Sequence, residues 1–228
     1  MIENQPSRMT HHVRKVFKKT HDPLWQMQLG VVAVIILQLL TSYEFLPFSK
    51  VGLVIVEIML LMGLIVVTTE GYGVFSRSRR NLAIILITII SAFNVISLAL
   101  LTNALLLNSG SVGGLELLAN GLVIYTTNIL MFALLYWELD GGGPDKRTSR
   151  QIKRDFLFTQ MTETRYAEES WLPGFIDYVY LSTTNVTNFA SADVRPISHR
   201  SKMLMMIQAL VALVTVVLVL ARAINILN

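Results

Sequence analysis

The sequence predicts an all-α, polytopic helical membrane protein, and three observations lead to this fold class. Five apolar stretches fill most of the chain, and each has about the 20 residues that a helix needs to cross the hydrocarbon core of a bilayer. None of them alternates apolar and polar residues as the strands of a membrane barrel must. Charged residues make up 15% of the chain, against roughly 25% in soluble domains. The predicted spans are Leu24–Thr41, Val51–Thr69, Leu82–Leu106, Leu115–Trp137 and Met203–Ala221.

These spans divide the chain into four parts. Residues 1–23 form a basic N-terminal arm, 24–138 hold four transmembrane helices, 139–170 form a polar loop, and 171–228 hold a short helical segment and the last span. The basic arm and the long apolar run after it are typical of an uncleaved signal anchor. Asp140-Gly-Gly-Gly-Pro144 predicts the end of the fourth helix, because glycine permits a left-handed cap and proline cannot continue a helix.

The basic residues are distributed unevenly over the loops. Of the 19 lysines and arginines, seventeen lie in the arm, between spans two and three, and between spans four and five, whereas the alternate loops hold one. Because basic loops stay on the cytoplasmic side, we expect the N-terminus inside and the C-terminus outside. The pI near 9.4 then reflects topology, so nucleic acid is not an expected partner.

Residues 171–188 show a second, shorter helical pattern before the last span. Pro173 suits the first turn of a helix. One face of this helix carries Phe175, Tyr178, Val179, Ser182, Val186 and Phe189, and the threonines Thr183, Thr184 and Thr187 gather toward its end. The apolar run is too short to cross a bilayer, so we expect a re-entrant or interfacial helix at the cytoplasmic side of the bundle.

Three motifs in the last quarter of the chain carry a resemblance to a known family. Asp177-Tyr-Val-Tyr-Leu-Ser-Thr-Thr184 is followed by Asp193-Val-Arg-Pro196 and by a last span that opens Lys202-Met-Leu-Met-Met-Ile-Gln-Ala-Leu210. This order resembles the pore helix, filter and inner helix of potassium channels. The resemblance implies a pore-helix-like segment, and a monovalent ion as a candidate ligand.

The filter motif itself is not kept. Where potassium channels have Thr-Val-Gly-Tyr-Gly, this chain has Asn188-Phe-Ala-Ser-Ala192. Ala190 and Ala192 resist the unusual backbone of a carbonyl-lined filter, since glycine reaches positive φ freely and alanine does not. The charge distribution also requires that any pore here enter the membrane from the cytoplasmic side. Two interpretations stay open, a conducting pore and a non-conducting interfacial helix, and the second is favoured.

Three further motifs occur in the C-terminal half of the chain. They are Trp137-Glu-Leu-Asp-Gly-Gly-Gly-Pro144, Asp155-Phe-Leu-Phe158 and Ala221-Arg-Ala-Ile-Asn-Ile-Leu227. In these the chain is similar to a group of uncharacterised bacterial multi-pass proteins. The similarity implies a bacterial inner-membrane location but no chemistry.

Glu57 is the charged residue that lies deepest within the first four predicted spans. An ionisable group there costs several kcal/mol unless it is paired, hydrated or protonated. It is therefore either part of an ion or proton path, or a protonated carboxyl that hydrogen-bonds to a neighbouring helix. The possible partners are Gln38, Asn94, Asn103, Asn120 and Asn128. The full set of candidate pathway or buried polar residues is Glu57, Asn94, Asn128, Thr183, Thr184, Asn185, Thr187, Asn188 and Asp193.

Motifs for catalysis are absent from the sequence. The four histidines form no metalloprotease pattern, and the chain has no cysteine. We expect neither an enzyme nor a bound metal or cofactor. Thr68-Thr-Glu-Gly-Tyr-Gly73 matches a potassium filter by its letters, but it follows a full-length span and has Glu70 in place of the filter valine. We predict a helix end and a cytoplasmic turn there.

Two hypotheses for function follow. The first is a non-enzymatic integral membrane protein with a channel-like C-terminal module that acts through assembly, including homo-oligomers, or partner binding. The second is a divergent ion channel or ion-coupled transporter that uses Glu57 and residues 183–193. The arrangement of Glu57 and Asn185 distinguishes them, because a conducting path needs both to face one water-filled cavity rather than separate packed contacts.

Overall fold

Five long helices dominate the computed structural model, which describes residues 24–40, 50–69, 76–107, 114–147, 153–163, 165, 171–188 and 193–227. The long helices are α1 (Leu24–Leu40), α2 (Lys50–Thr69), α3 (Ser76–Leu107), α4 (Gly114–Leu139) and α8 (His199–Leu227). The smaller elements are a 3-10 helix (Asp140–Gly142), α5 (Pro144–Arg147), β1 (Phe156–Phe158), α6 (Thr159–Thr162), α7 (Phe175–Thr187) and β2 (Val194–Pro196).

Three of these helices are long and apolar enough to cross a membrane. Their candidate spans are Ser78–Asn103 in α3, Leu115–Gly142 in α4 with the turn after it, and His199–Ala221 in α8. The described apolar parts of α1 and α2 are shorter, Trp25–Leu40 and Val54–Val66. A mostly helical membrane class is thus supported, with one small pair of strands that the sequence did not predict, while five complete spans remain a prediction. The turn predicted after Thr69 lies outside the described residues, because α2 ends at Thr69 and the description resumes at Ser76.

Helix α4 lies at the centre of the bundle and packs against α1, α3, α7 and α8. Its last turns are buried on several sides, and Leu134, Tyr136 and Trp137 are inaccessible to solvent. The Phe175 ring at the start of α7 reaches α1, where a Cβ atom on Gly30 would lie 2.8 Å from Cζ of that ring. A glycine in α1 therefore makes room for the aromatic side chain that places α7 in the bundle.

The predicted end of the fourth helix is confirmed. Helix α4 ends at Leu139, and Gly141, Gly142 and Gly143 all have positive φ, of 58°, 83° and 100°. A Cβ atom on Gly143 would also lie 3.1 Å from the backbone oxygen of Glu138. Only glycine enters this conformation without strain. The turn redirects the chain into a set of small elements over the end of the bundle.

These small elements form a unit that we call the polar cap: the 3-10 helix, α5, the paired strands β1 and β2, and the first half of α7. The two strands are antiparallel, with Phe156 opposite Pro196 and Phe158 opposite Val194. The backbone oxygen of Asp155 accepts hydrogen bonds from the Ile197 N–H at 2.8 Å and the Ser201 hydroxyl at 2.9 Å. The cap is therefore joined directly to the first turn of α8.

The carboxylate of Asp140 is fully buried within the polar cap and accepts hydrogen bonds from several elements. Its Oδ1 accepts the backbone N–H groups of Asp155 at 2.7 Å and Phe156 at 3.2 Å. Its Oδ2 accepts the Tyr178 hydroxyl at 2.6 Å and the Arg154 guanidinium at 3.5 Å. One side chain thus connects the end of α4 with β1 and α7.

Two further arginines, Arg79 and Arg147, are buried near the end of α4. Arg79, in the first turn of α3, donates from both terminal nitrogens to the two carboxylate oxygens of Glu138, each at 3.2 Å. Arg147 donates to the Tyr178 hydroxyl, and its guanidinium carbon lies 5.2 Å from the Trp137 ring centroid and 5.0 Å from that of Tyr178. Bidentate pairing and stacking on aromatic faces are the geometries that arginine favours when it is buried.

The Asp140 carboxylate is expected to be essential for the stability of the cap. In Asp140→Asn one acceptor oxygen becomes an NH₂ group that faces donors, so at least one buried pair is lost. Breaking such a pair costs about 3–5 kcal/mol. Thermal unfolding of the purified protein in a neutral detergent measures the loss.

Asp193→Asn is the matched control, because Asp193 is exposed and its side chain accepts one hydrogen bond, from the Tyr180 hydroxyl at 2.7 Å. We expect this change to cost about 0.5 kcal/mol or less. Equal losses in the two variants would contradict the role assigned to Asp140.

Candidate functional site

A buried polar network joins α4, α7 and α8 around the side chain of Gln208, which is inaccessible to solvent. Its Oε1 accepts the Tyr136 hydroxyl at 2.6 Å and the Asn185 amide at 2.8 Å. Its Nε2 donates to the hydroxyl of Ser182 at 2.5 Å and to the backbone oxygen of Ser182 at 3.3 Å. The Ser182 hydroxyl donates in turn to the backbone oxygen of Ile129 at 2.6 Å.

The depth of this network follows from the position of Gln208 in α8. It lies nine residues after His199, the first residue of the helix, so at 1.5 Å per residue it is roughly 13 Å along the axis. The C-terminal half of α7 therefore reaches well into the bundle beside α4 and α8. At 13 residues α7 is about 20 Å long, short of the roughly 30 Å of a hydrocarbon core.

Sequence reasoning placed Asn185 among the candidates but missed Gln208 and Tyr136. Gln208 stood in the predicted last span, and a lone amide among aliphatic residues was a usable signal, because buried amides require partners. Tyr136 lies one residue before the end of the predicted fourth span, and in the structure its hydroxyl donates to Gln208.

The threonine hydroxyls of α7 donate hydrogen bonds to backbone oxygens of the same helix. Thr183 donates to the backbone oxygen of Val179 at 2.8 Å, and Thr187 donates to that of Thr183 at 2.9 Å. Thr184 donates to the backbone oxygens of Tyr180 and Leu181, each at 3.0 Å. Their hydroxyl protons are therefore held by the helix itself.

The remaining candidates near the predicted filter lie at the surface. Asn188 is exposed, and its N–H donates to the backbone oxygen of Thr184 at 3.0 Å. Asp193 is exposed just before β2, where its backbone oxygen accepts the Thr159 N–H at 3.1 Å and the Thr159 hydroxyl at 2.7 Å. The filter-like residues 189–192 lie outside the described part of the chain.

Glu57 is fully buried between α2 and α1. The side-chain amide nitrogen of Gln38 faces Glu57 and donates to its two carboxyl oxygens at 2.6 and 3.2 Å. Gln38, one of the partners expected from the sequence, is thus the residue in contact. Helix α2 packs against α1 and α3, whereas α7 packs against α4, α8 and α1, so Glu57 and Asn185 belong to different helix contacts.

Asn94 and Asn128 lie on facing helices of the bundle. The Asn94 amide donates to the backbone oxygen of Ile124 at 3.1 Å, and the Asn128 amide lies 3.5 Å from the backbone oxygen of Gln208. Four buried atoms of α3 and α4 have no hydrogen-bond partner among the described residues: Oδ1 of Asn94, Oγ of Ser97, Oγ1 of Thr127 and Oδ1 of Asn128. The described part of the bundle therefore holds four buried polar atoms whose hydrogen-bonding capacity is not used.

An open cavity of about 520 Å³ lies at the junction of the polar cap with α3, α4 and α8. Four bases line it: Arg80, Lys146, Lys153 and Arg200. Asp155 contributes one carboxylate, and its Oδ2 accepts the N–H of Gly141 at 3.2 Å. Positive charge therefore dominates the lining. The sequence indicated these bases only as determinants of orientation.

The buried tyrosine of the cap is a fixed donor. Burial raises the pKa of the Tyr178 hydroxyl well above its ordinary value, and the nearby Arg147 only partly opposes this. The hydroxyl therefore stays protonated and continues to donate to Asp140.

In the described ranges no group of three or more histidine, cysteine, aspartate or glutamate side chains could hold a metal ion.

Comparisons with protein-family models, with curated proteins and with solved structures gave no match to this chain.

A double-mutant cycle is expected to show that Gln208 and Tyr136 interact. Gln208→Leu removes the acceptor of a fully buried hydroxyl and should cost about 1–3 kcal/mol. Adding Tyr136→Phe removes the stranded hydroxyl, so the double variant should be about 1 kcal/mol more stable than the sum of the single effects predicts. Unfolding in detergent measures each free energy.

Tyr125→Phe is the matched control, since it removes a partly exposed hydroxyl from the same helix. Its effect should add to that of Gln208→Leu within about 0.5 kcal/mol. Additive behaviour of Tyr136→Phe as well would contradict the network.

Proposed function

We propose that the chain is a non-enzymatic integral protein of a bacterial inner membrane and that it acts through assembly or partner binding. One observation carries this proposal: the polar residues suggested for a path lie in separate packed contacts. Glu57 is engaged by Gln38 of α1, and Asn185 by Gln208 of α8. A conducting path would need both in one hydrated cavity.

The outer face of α8 supports assembly. In its candidate span only 22% of the residues are buried within the chain. The large apolar side chains on the outward face are Met203, Met206, Ile207, Leu210, Leu213, Val214, Val217, Leu220 and Ile224. This face fits lipid or a second copy of the chain, and a second copy is our first candidate.

The orientation that we propose places the polar cap in the cytoplasm. The cap, the residues just before β1, and the first turns of α3 and α8 hold ten of the seventeen bases that the sequence assigns to the retained loops. The N-terminus is then inside and the C-terminus outside, and the bilayer itself is the surrounding partner.

Crosslinking through α8 tests assembly. Because the chain has no cysteine, a single introduced thiol reports on one position. Oxidation of Val217→Cys in native membranes should give a disulfide-linked dimer, because Val217 is 55% exposed on the outer face. Leu210→Cys, Leu213→Cys and Leu220→Cys, taken singly, locate the closest approach, since a disulfide needs Cα atoms within about 7 Å.

Thr215→Cys is the control, because Thr215 is 1% exposed and faces the chain's own interior. It should remain monomeric under the same oxidation. Monomers at all four outward positions would exclude a homo-oligomer formed through α8.

An ion channel or ion-coupled transporter for a monovalent ion is the second candidate. The observation that favours it is the set of four buried atoms, on Asn94, Ser97, Thr127 and Asn128, that have no hydrogen-bond partner among the described residues. Unsatisfied polar groups within a membrane bundle are costly and are satisfied by water, by an ion or by a partner.

Flux measurements in proteoliposomes separate the two candidates. We expect potassium, sodium and proton flux at the level of protein-free vesicles, and we expect Glu57→Gln to change stability by about 1 kcal/mol or less, since an amide still hydrogen-bonds to Gln38. Flux in the wild type that Glu57→Gln abolishes while folding is kept would establish the second candidate instead.

A further inference from the structure

The basic cavity lies where the candidate spans end. Arg80 follows closely on Ser78, where the span in α3 begins. Gly141 and Gly142 close the span in α4, and Arg200 follows His199 at the start of the span in α8. Three helices with the length and composition of membrane spans therefore have one end at this cavity. That position is the headgroup level of the bilayer.

The charge of the lining suits an anion. Against four bases stands the single carboxylate of Asp155, part of whose acceptor capacity is used by the Gly141 N–H. Within the described ranges, none of the four bases forms an ion pair. The neighbouring Arg79 and Arg154 are paired with Glu138 and Asp140. The positive charges of the cavity bases are thus available to bind an anionic ligand.

Arg80 adds an unused hydrogen-bond donor. Its Nε–H is buried and has no acceptor among the described residues. A buried donor without a partner costs about 1–3 kcal/mol, and an oxygen of a bound anion removes that cost. Guanidinium groups present paired donors that match phosphate oxygens.

One side of the cavity is apolar. Leu139, Phe156 and Leu204 line it beside the bases. The volume of about 520 Å³ falls in the range of roughly 300–1,000 Å³ that is typical of small-ligand sites. A free phosphate ion uses only the basic side, whereas a phospholipid also places its glycerol and first acyl carbons on the apolar side.

We propose that this cavity binds the phosphate group of an anionic phospholipid. The guanidinium groups of Arg80 and Arg200 hold the phosphate oxygens, Lys146 and Lys153 complete the positive field, and the apolar wall receives the start of the acyl chains. Basic pockets between membrane helices are suited to such headgroups. The site is independent of whether the chain assembles or conducts.

Binding of defined lipids to the full-length protein tests the proposal. The protein in a neutral detergent is titrated with dioleoylphosphatidylglycerol or with dioleoylphosphatidylcholine, and native mass spectrometry counts the bound lipid. We expect at least a tenfold preference for the anionic lipid at one site. Inorganic phosphate is the third arm, and at millimolar concentration it should displace the lipid only partly.

Two double variants that each remove two positive charges distinguish binding in the cavity from general attraction to a basic surface. Lys153→Gln/Arg200→Gln should weaken binding of the anionic lipid at least tenfold. Arg195→Gln/Lys202→Gln removes two exposed bases that do not line the cavity and should weaken it less than threefold. Lys153→Arg/Arg200→Lys keeps the charge and should stay within threefold of the wild type.

Three results would overturn the proposal. They are equal loss in the two glutamine variants, equal affinity for the two lipids, and full displacement by inorganic phosphate with no preference for the lipid-borne group. The last result would assign the cavity to a free anion. Far-UV circular dichroism and size exclusion verify that every variant is folded, and the bases exchanged are exposed, so folding is expected to be kept.

Discussion

The arrangement of the polar cap depends on the buried carboxylate of Asp140. A charge without water is stable only when hydrogen-bond donors surround it, and the donors come from β1, α7 and Arg154. Burial of the Asp140 carboxylate is therefore favourable only when those elements are in place. The carboxylate couples the end of α4 to β1 and to α7, and it fixes Gly141 and Asp155 at the edge of the basic cavity.

The same constraint explains how a helix too short to span the membrane is held inside the bundle. Tyr178 anchors α7 at the cap, and Asn185 and Ser182 anchor its other half on Gln208. Each anchor is a hydrogen bond in surroundings where water does not compete well. A hydrophobic stripe alone would let such a helix slide along α4, whereas paired amides and hydroxyls specify one register. The cost is that each of these groups must find its partner.

The sequence predicted the elements better than their contacts. The glycine turn after α4 and the short helix near Pro173 were readable because φ preferences and helical spacing are local properties. The supported spans could be predicted because a long apolar stretch indicates a lipid environment. Gln208 and Tyr136 were missed, since the pairing of residues 72 positions apart depends on packing that no local pattern contains. The sequence indicated that an unpaired charge on Glu57 would be costly within a span. It could not select Gln38 from the several polar residues able to hydrogen-bond to Glu57.

Arg79 and Arg80 show why a count of charges cannot separate structure from binding. Both contribute equally to the positive-inside signal, and both lie in the first turns of α3. Arg79 turns to Glu138 and neutralises a buried carboxylate, whereas Arg80 lines the cavity with a donor that no described residue uses. Adjacent positions on a helix point about 100° apart, so the helix itself divides the two roles. The bases that orient a membrane protein sit at headgroup level by necessity. The proposed site for headgroup phosphate depends on the concave arrangement of such bases, because there the cap leaves their charges uncompensated.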